Sequence, residues 1–405
     1  MKFRVLAIAV LSLVTASAQA QQAWTFGKVL QEALANHPLV LGKRSAQDAA
    51  QAEREGAEWQ RYPTPTLEAS TQSGGAGLLR LDQPLWTGGR ITAGIDAAGS
   101  RLDAAGAALD EARQELALKV IAATTEALRQ QARQQHGVAG VKEHEKLLAM
   151  IQRRVTQEVS PLADQRLAAS RLYASANELS VTTQALNNAL AQLTQLAGQP
   201  VTAITEQGLS EAGAPAGLDA ALTQMLAHSP TLRRLTREEE VADADIASKR
   251  AAYMPQLVLR LESSAGQTTD NRAMLVLSAQ PGAGLSAKSG VDAAVARREA
   301  ARLAREAAER DARERITFDG NEWVAARLRL ENANQARAMS IEVSESYARQ
   351  YTTGRKTWID VLNAVREATQ SELAADDARA QMLASSLRLR ALTGTLTIAS
   401  GAVQP

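Results

Sequence analysis

Cysteine is absent from the 405 residues of the sequence. Its absence excludes disulfide frameworks, thiolate catalysis, cysteine-ligated zinc and iron–sulfur clusters, and a lipid anchor on an N-terminal cysteine. An excess of charge of either sign is also lacking, because 45 lysines and arginines balance 44 aspartates and glutamates. A chain without a basic excess offers no electrostatic footprint for nucleic acid, so no nucleic-acid partner is predicted.

Aromatic residues are scarce. They make up 3% of the chain, although 45% of it is hydrophobic, so the apolar content is almost all aliphatic or alanine. Compact enzyme cores usually contain more ring area, whereas closely packed long helices accommodate small residues well. With 22% charged residues, the chain is also too apolar to be generally disordered. These proportions favour extended helical packing over a compact enzyme domain.

An apolar run long enough for a membrane-spanning helix, about 20 residues, is missing as well. Residues 1–20 are instead typical of a secretory signal peptide. Lys2 and Arg4 form its basic part, a short apolar core follows, and Ala18-Gln-Ala20 is the cleavage site. An anchor helix is the alternative, but the apolar core is too short for it. The mature chain is therefore predicted to be exported, and either soluble or held in a membrane by β-strands.

The 11 prolines leave long spans in which helices can run. Two of them, Pro38 and Pro63, recur 192 residues later as Pro230 and Pro255, and matches further along the chain are offset by 196 residues. An ordered series of matches with one change of offset predicts a duplicated unit of about 190 residues. The predicted units are 21–210 and 211–405.

Each unit is predicted to contain two short helices, a β-hairpin and two long helices. The hairpins are indicated by strands of alternating polarity, as in Pro255 to Glu262, where Leu257, Leu259 and Leu261 share a face. Strands of about ten residues can cross an outer membrane at a tilt; a soluble hairpin packed on helices is the alternative. The predicted hairpins are about 64–88 and 255–283, and the predicted long helices are about 91–154, 163–197, 287–349 and 357–393.

The segment from Tyr351 to Ala364, YTTGRKTWIDVLNA, resembles the periplasmic tip turn of the TolC family of outer-membrane channels, Y-x-x-G-x-x-t-x-x-D-V-L-x-A. Three further stretches, 82–90, 280–286 and 392–394, are similar to other family features in the same order. The resemblance covers nearly all of the mature chain. It implies a mainly α fold with transmembrane β-strands, in which paired long helices form a periplasmic α-barrel.

The resemblance also implies a homotrimer in the cell outer membrane, with two hairpins per chain contributing to one 12-stranded β-barrel. Four strands cannot close a barrel in lipid, so more than one chain is needed in any case. The implied function is a passive exit duct, not an enzyme and without cofactor or metal, that docks on a periplasmic adaptor (membrane fusion) protein and an inner-membrane pump of the ABC or RND type. The type I protein secretion branch is favoured; a multidrug or metal efflux channel and a soluble periplasmic scaffold are the alternatives.

A periplasmic gate is implied at Asp360, which matches the inward-facing aspartate of the family. Three copies would form a ring of carboxylates that favours cations. Some relatives have a second aspartate one turn later, where this chain has Asn363. An ordinary aspartate stabilised by a helix N-terminus is the alternative interpretation of Asp360.

A latch between neighbouring hairpins is implied at the same tip. By position, Tyr351 and Lys356 are its expected donors and Asp164 an acceptor. Gly354 lies in the tip turn of the second unit, whereas the turn of the first unit, before Pro161, lacks the glycine. The latch partners are therefore left open. The four histidines show no metal or catalytic spacing; they are His37, His136, His144 and His228.

Overall fold

The structure is a computed structural model that describes residues 24–70, 76–209, 217–265, 270–279 and 286–396. The predicted signal peptide and most of both hairpin turns lie outside these residues, as does nearly all of the predicted hairpin exit at 280–286.

Helices account for most of the described chain, and the predicted mainly helical fold is confirmed. In the described residues, six strands interrupt them and form one two-stranded and one four-stranded sheet. The helices are α1 (Phe26–Asn36), α2 (Pro38–Trp59), α3 (Arg90–Thr156), α4 (Leu162–Ala197), α5 (Leu218–His228), α6 (Pro230–Ala251), α7 (Ser286–Thr352) and α8 (Trp358–Leu392). The strands are β1 (Trp24–Thr25), β2 (Thr64–Ser70), β3 (Ala76–Trp86), β4 (Ile204–Thr205), β5 (Gln256–Ala265) and β6 (Asp270–Ser278).

The two longest helices, α3 and α7, have 67 residues each. At 1.5 Å per residue each extends about 100 Å. Both are free of proline and rich in alanine and arginine, which allows uninterrupted helix formation. The return helices α4 and α8 pack along α3 and α7, and α8 also packs on α3. In the half of the molecule nearer the α3–α4 and α7–α8 turns, the helices therefore form a layer in the order α7–α8–α3–α4.

The other half of the molecule, at the start of α3 and α7, repeats this layering with α2 and α6 in place of the return helices. Here α3 lies between α2 and α6, and α6 lies between α3 and α7. Ion pairs fix the position of α6 on both sides. Arg234 Nε lies 2.7 Å from Glu111 of α3, and Arg305 Nε of α7 lies 3.0 Å from Glu239 of α6. The order α2–α3–α6–α7 therefore extends the same layer.

Strands β2, β3, β5 and β6 form one antiparallel sheet in that order. The register places Leu81 opposite Leu261, and Leu259 opposite Leu275. Because cross-strand partners point to the same side, the sheet has an apolar face, here called the leucine face: Leu67, Leu79, Leu81, Leu257, Leu259, Leu261, Leu275 and Leu277. The predicted common face of the three β5 leucines is confirmed.

A register shift between Pro84 and Trp86 interrupts the β3–β5 ladder. Simple alternation would put Trp86 on the face opposite to the leucines. The shift instead pairs Trp86 with Leu257 and so turns the exposed indole onto the leucine face. Among the described residues, no helix is both long enough and apolar enough to cross a membrane.

Candidate functional site

The ends of four long helices meet in one buried cluster, here called the tip cluster. Ile151 of α3, Ala168 of α4, Tyr351 of α7, and Trp358 and Val361 of α8 belong to it. The α3–α4 turn and the α7–α8 turn are therefore held at one level. The tip predicted from the sequence is a packed unit in each chain.

The α7–α8 turn ends α7 with two backbone hydrogen bonds. The Gly354 N–H donates to the Tyr351 carbonyl over 3.1 Å, and the Arg355 N–H donates to the Gln350 carbonyl over 2.9 Å. This pattern is the Schellman motif, which requires a left-handed residue after the helix. Gly354, with φ of 74°, supplies it at no steric cost.

The α3–α4 turn has the same hydrogen bonds with a different residue. The Glu158 N–H donates to the Val155 carbonyl and the Val159 N–H to the Arg154 carbonyl, both over 2.9 Å. Glu158 has φ of 60° and is the one non-glycine residue with positive φ in the described part of the chain. A side chain in this conformation strains the backbone. The first tip turn therefore has the same backbone geometry as the second, although it lacks the glycine.

Glycine at position 158 is expected to stabilise this turn. Glu158→Gly should raise the local free energy of opening by about 1 kcal/mol, because it relieves the left-handed strain. Gly354→Ala should lower it by a similar amount on the other turn. Hydrogen exchange of peptides covering each turn measures the local opening. Unchanged or faster exchange in Glu158→Gly would contradict the assignment of strain to Glu158.

Asp360 occupies the first turn of α8 and forms a capping box with Thr357. The Thr357 N–H and hydroxyl donate to Asp360 Oδ2 over 3.0 and 2.8 Å, and the Asp360 N–H donates to the Thr357 hydroxyl over 3.3 Å. The hydroxyl and then the backbone N–H of Thr357 lower the pKa of the Asp360 carboxyl. The carboxylate is thus fixed and charged at neutral pH, and the cap weakens only as pH falls through the lowered pKa.

Asp164 holds the equivalent place in α4 without a capping box. The residue before α4 is Pro161, which has no hydroxyl and makes no side-chain cap. In the described residues no hydrogen bond or ion pair to the Asp164 carboxylate is present. The two tip aspartates therefore differ: Asp360 is fixed to its own backbone, and Asp164 is available to another partner.

A groove of about 450 Å³ runs between α7 and α8 above the tip. Asp360 and Asn363 line one wall, and Met339, Val343 and Tyr347 line the other. Asn363 is exposed. The structure therefore brings both predicted gate residues to one surface, as their spacing of three on a helix requires.

The predicted latch residues contact other partners within the chain. Arg154 of α3 places its guanidinium 5.2 Å from the centre of the Tyr351 ring, and Lys356 Nζ lies 4.1 Å from the centre of the Tyr347 ring. Neither donor contacts Asp164 within the chain. Arg154 and Tyr347 were not predicted, because these cation–π contacts depend on tertiary packing. Thr357 could have been found, since Thr-x-x-Asp before an apolar run is a capping signal.

The face of the sheet opposite to the leucines carries two ion pairs. Arg80 Nε lies 3.0 Å from Glu262, and Arg260 Nε lies 2.8 Å from Asp82, both across the β3–β5 pair. One face of the sheet is therefore suited to an apolar environment and the other to water.

Comparison with known proteins identifies a family that matches this chain. A family model described as outer membrane efflux protein matches residues 29–199 and 221–395, which together make up most of the chain. A search of curated proteins gives no match.

Solved structures with the same fold were found. The chain is similar to a membrane protein from Pseudomonas aeruginosa, with a TM-score of 0.80 and 19% identity over 91% of this chain and 92% of that one. The outer membrane protein VceC from Vibrio cholerae has a TM-score of 0.77 and 18% identity over 91% and 96%. The CmeC outer membrane channel of Campylobacter jejuni has a TM-score of 0.81 and 14% identity over 91% and 85%. At these identities the likeness shows the fold alone.

Proposed function

The chain belongs to the outer membrane efflux protein family, and we propose that it is the outer-membrane exit duct of a tripartite export system. In this role it conducts substrate passively from a periplasmic adaptor and an inner-membrane pump to the exterior. The leucine face of the sheet is proposed to contact outer-membrane lipid, and the duct to be a homotrimer.

The observation that carries this proposal is that a single chain leaves every layer open at both edges. In the sheet, β2 and β6 each pair on one side only. In the lower helical layer the two outer helices are α4 and α7. Unpaired strand edges beside an apolar face cannot remain in lipid. Three copies joined edge to edge would close a 12-stranded barrel and continue it as a helical barrel.

The open edge of α7 carries large apolar side chains. Phe318, Leu328 and Met339 are 69%, 57% and 66% exposed. They are spaced ten and eleven residues apart, so they lie on one face at intervals of about three turns. On the other open edge, Tyr173 of α4 is 74% exposed. A row of exposed apolar side chains along an open helix edge supports contact between α4 of one copy and α7 of the next.

The proposed contact joins residues of α4 and α7 that lie at similar distances from the tip. Tyr173 lies eleven residues from the start of α4, or about 16 Å, while Met339 and Val343 lie about 20 and 14 Å from the end of α7. The shared tip cluster puts both helix ends at one level. The Tyr173 ring would therefore lie level with Met339 and Val343 of the neighbouring copy.

We propose that Asp360 forms the gate of this duct, as a ring of three carboxylates around a narrow mouth, followed by a neutral ring of Asn363. A latch is proposed from Tyr351 and Lys356 to Asp164 of the neighbouring copy. The unpartnered carboxylate of Asp164 supports it, and Gly354 and Pro161 mark the turns that would hold the partners.

Asp360→Asn is expected to weaken block of the channel by multivalent cations about tenfold or more, since it removes three charges from the mouth; a tenfold change corresponds to about 1.4 kcal/mol. Thr357 remains as the N-cap, and the amide oxygen of asparagine can still accept a hydrogen bond from the Thr357 N–H, so the fold is retained. Thr357→Ala is the matched control, because it breaks the capping box and keeps the charge. Conductance in planar bilayers measures both. Unchanged block in Asp360→Asn, or equal loss in Thr357→Ala, would refute the carboxylate ring.

The cargo is proposed to be a secreted protein, through a type I system, because the Val159-to-Asp164 tip resembles that branch. The second candidate is multidrug or metal efflux, which the efflux description of the family favours. A deletion strain separates them. Loss of proteins from the medium supports type I secretion, whereas raised drug or metal susceptibility with an unchanged secreted proteome would overturn it.

A further inference from the structure

His136 lies between two carboxylates at the contact of α3 with α8. Its Nδ1 is 3.5 Å from Glu372 Oε2, and its Nε2 is 3.4 Å from Asp376 Oδ2. Glu372 and Asp376 are four residues apart on α8, so both point from one face of that helix towards α3. The buried Asp376 Oδ2 has no hydrogen-bond partner among the described residues.

This arrangement suits a protonated imidazole. A neutral imidazole has one N–H, so one of its nitrogens would face a carboxylate oxygen with a lone pair. An imidazolium has two N–H groups and can donate to both carboxylates. Side chains of this type ordinarily change charge between pH 5 and 8.

Other charged groups lie around His136 on the neighbouring helices. On the same two helices, Arg133 Nη1 and Arg129 Nη1 of α3 lie 2.9 and 3.4 Å from Asp377 of α8. Arg133 also reaches Glu178 of α4 over 3.8 Å. Arg337 of α7 acts on the Asp376 carboxylate. With His136 neutral, Glu372 and Asp376 of α8 therefore lose the cation of α3 that faces them.

Burial raises the pKa of the Asp376 carboxyl, and the charges of His136 and Arg337 lower it in part. A carboxyl with a raised pKa in the packed state favours packing below its ordinary pKa, and this contribution is lost as pH rises through the raised value. This carboxyl therefore favours contact of α3 with α8 at acidic pH.

We propose that His136, Glu372 and Asp376 form a proton-dependent clamp, which holds the α3–α4 hairpin to the α7–α8 hairpin when the imidazole is charged and loosens when it is neutral. The clamp lies within one chain. Its action on the width of a duct rests on the proposed function, but the clamp itself can be tested without transport.

The absence of native cysteine allows clean spin labelling. Ala139 and Ala374 are exposed on α3 and α8 beside the clamp, so labels on cysteines at these positions report the distance between the hairpins. Labelled chains are diluted with unlabelled protein, so that distances arise within one chain. Electron–electron double resonance is recorded at about pH 5 and about pH 8. His136→Gln serves as the permanently neutral variant and His136→Arg as the permanently charged one.

For the native chain, we expect a narrow distance distribution at acidic pH and a longer, broader one at alkaline pH. His136→Gln should be broad and His136→Arg narrow at both pH values. If the native distribution does not change with pH, or if His136→Gln still narrows on acidification, the clamp is wrong. Should His136→Arg fail to fold, the comparison of the native chain with His136→Gln decides alone. If the protein is not a trimer, the proposed duct is wrong. The distances within one chain would still test the clamp.

Discussion

Tyr173→Asp is expected to separate the assembly into single chains. The exposed ring would contact Met339 and Val343 of the next copy, and burying a carboxylate against these apolar groups costs several kcal/mol. Three such contacts are lost in a closed ring of three copies. Light scattering or native mass spectrometry of the detergent-extracted protein measures the number of chains per particle.

Two further variants make this expectation specific. Tyr173→Phe keeps the ring and should remain fully assembled. Adding Met339→Lys to Tyr173→Asp creates an opposite charge across the proposed contact and should restore part of the assembly. If Tyr173→Asp stays assembled, or if the lysine has no effect on a dissociated variant, α4 does not pack on α7 at this height.

Gly88→Ala should destabilise the junction of the sheet with the helices by about 3 kcal/mol or more. Gly88 follows β3 with φ of 62°, and an added Cβ would lie 2.3 Å from Met254 Cβ. A left-handed backbone with a side chain costs about 1–2 kcal/mol, and forcing Met254 aside costs about 1–3 kcal/mol more. Thermal unfolding in detergent should therefore begin at a much lower temperature.

Gly89→Ala provides the matched control. Gly89 has φ of 88°, but no atom lies within 4 Å of its added Cβ. Only the backbone strain of about 1–2 kcal/mol is expected there. Equal losses in the two variants would show that the close approach to Met254 does not limit this position.

Much of the architecture follows from local features of the sequence. Long helices could be predicted because proline is missing over 85–160 and 282–404, and the leucine face because alternation in β5 is regular. The displacement of Trp86 onto that face could not, since the shift between Pro84 and Trp86 is a property of the β3–β5 pairing. Similarly, the repeat pointed to equivalent tip turns, but not to Glu158 adopting a left-handed backbone.

The candidate site divides in the same way. Asp360 could be found from a local motif, and the structure gives it a fixed position through Thr357. Contacts between helices, such as Lys356 with Tyr347, were missed because no short motif encodes them. His136 was set aside for the same reason: its carboxylate partners lie on α8, far along the chain. Only tertiary structure brings such groups together.

Three copies are proposed to form one hollow duct that spans the outer membrane and reaches into the periplasm. Electron microscopy of the full chain, extracted from outer membranes with detergent, tests it most directly. We expect a particle with three-fold symmetry and a continuous lumen, longer than the roughly 100 Å that α3 and α7 alone extend. A single chain that remains soluble without detergent, or a particle without a lumen or three-fold symmetry, would contradict it.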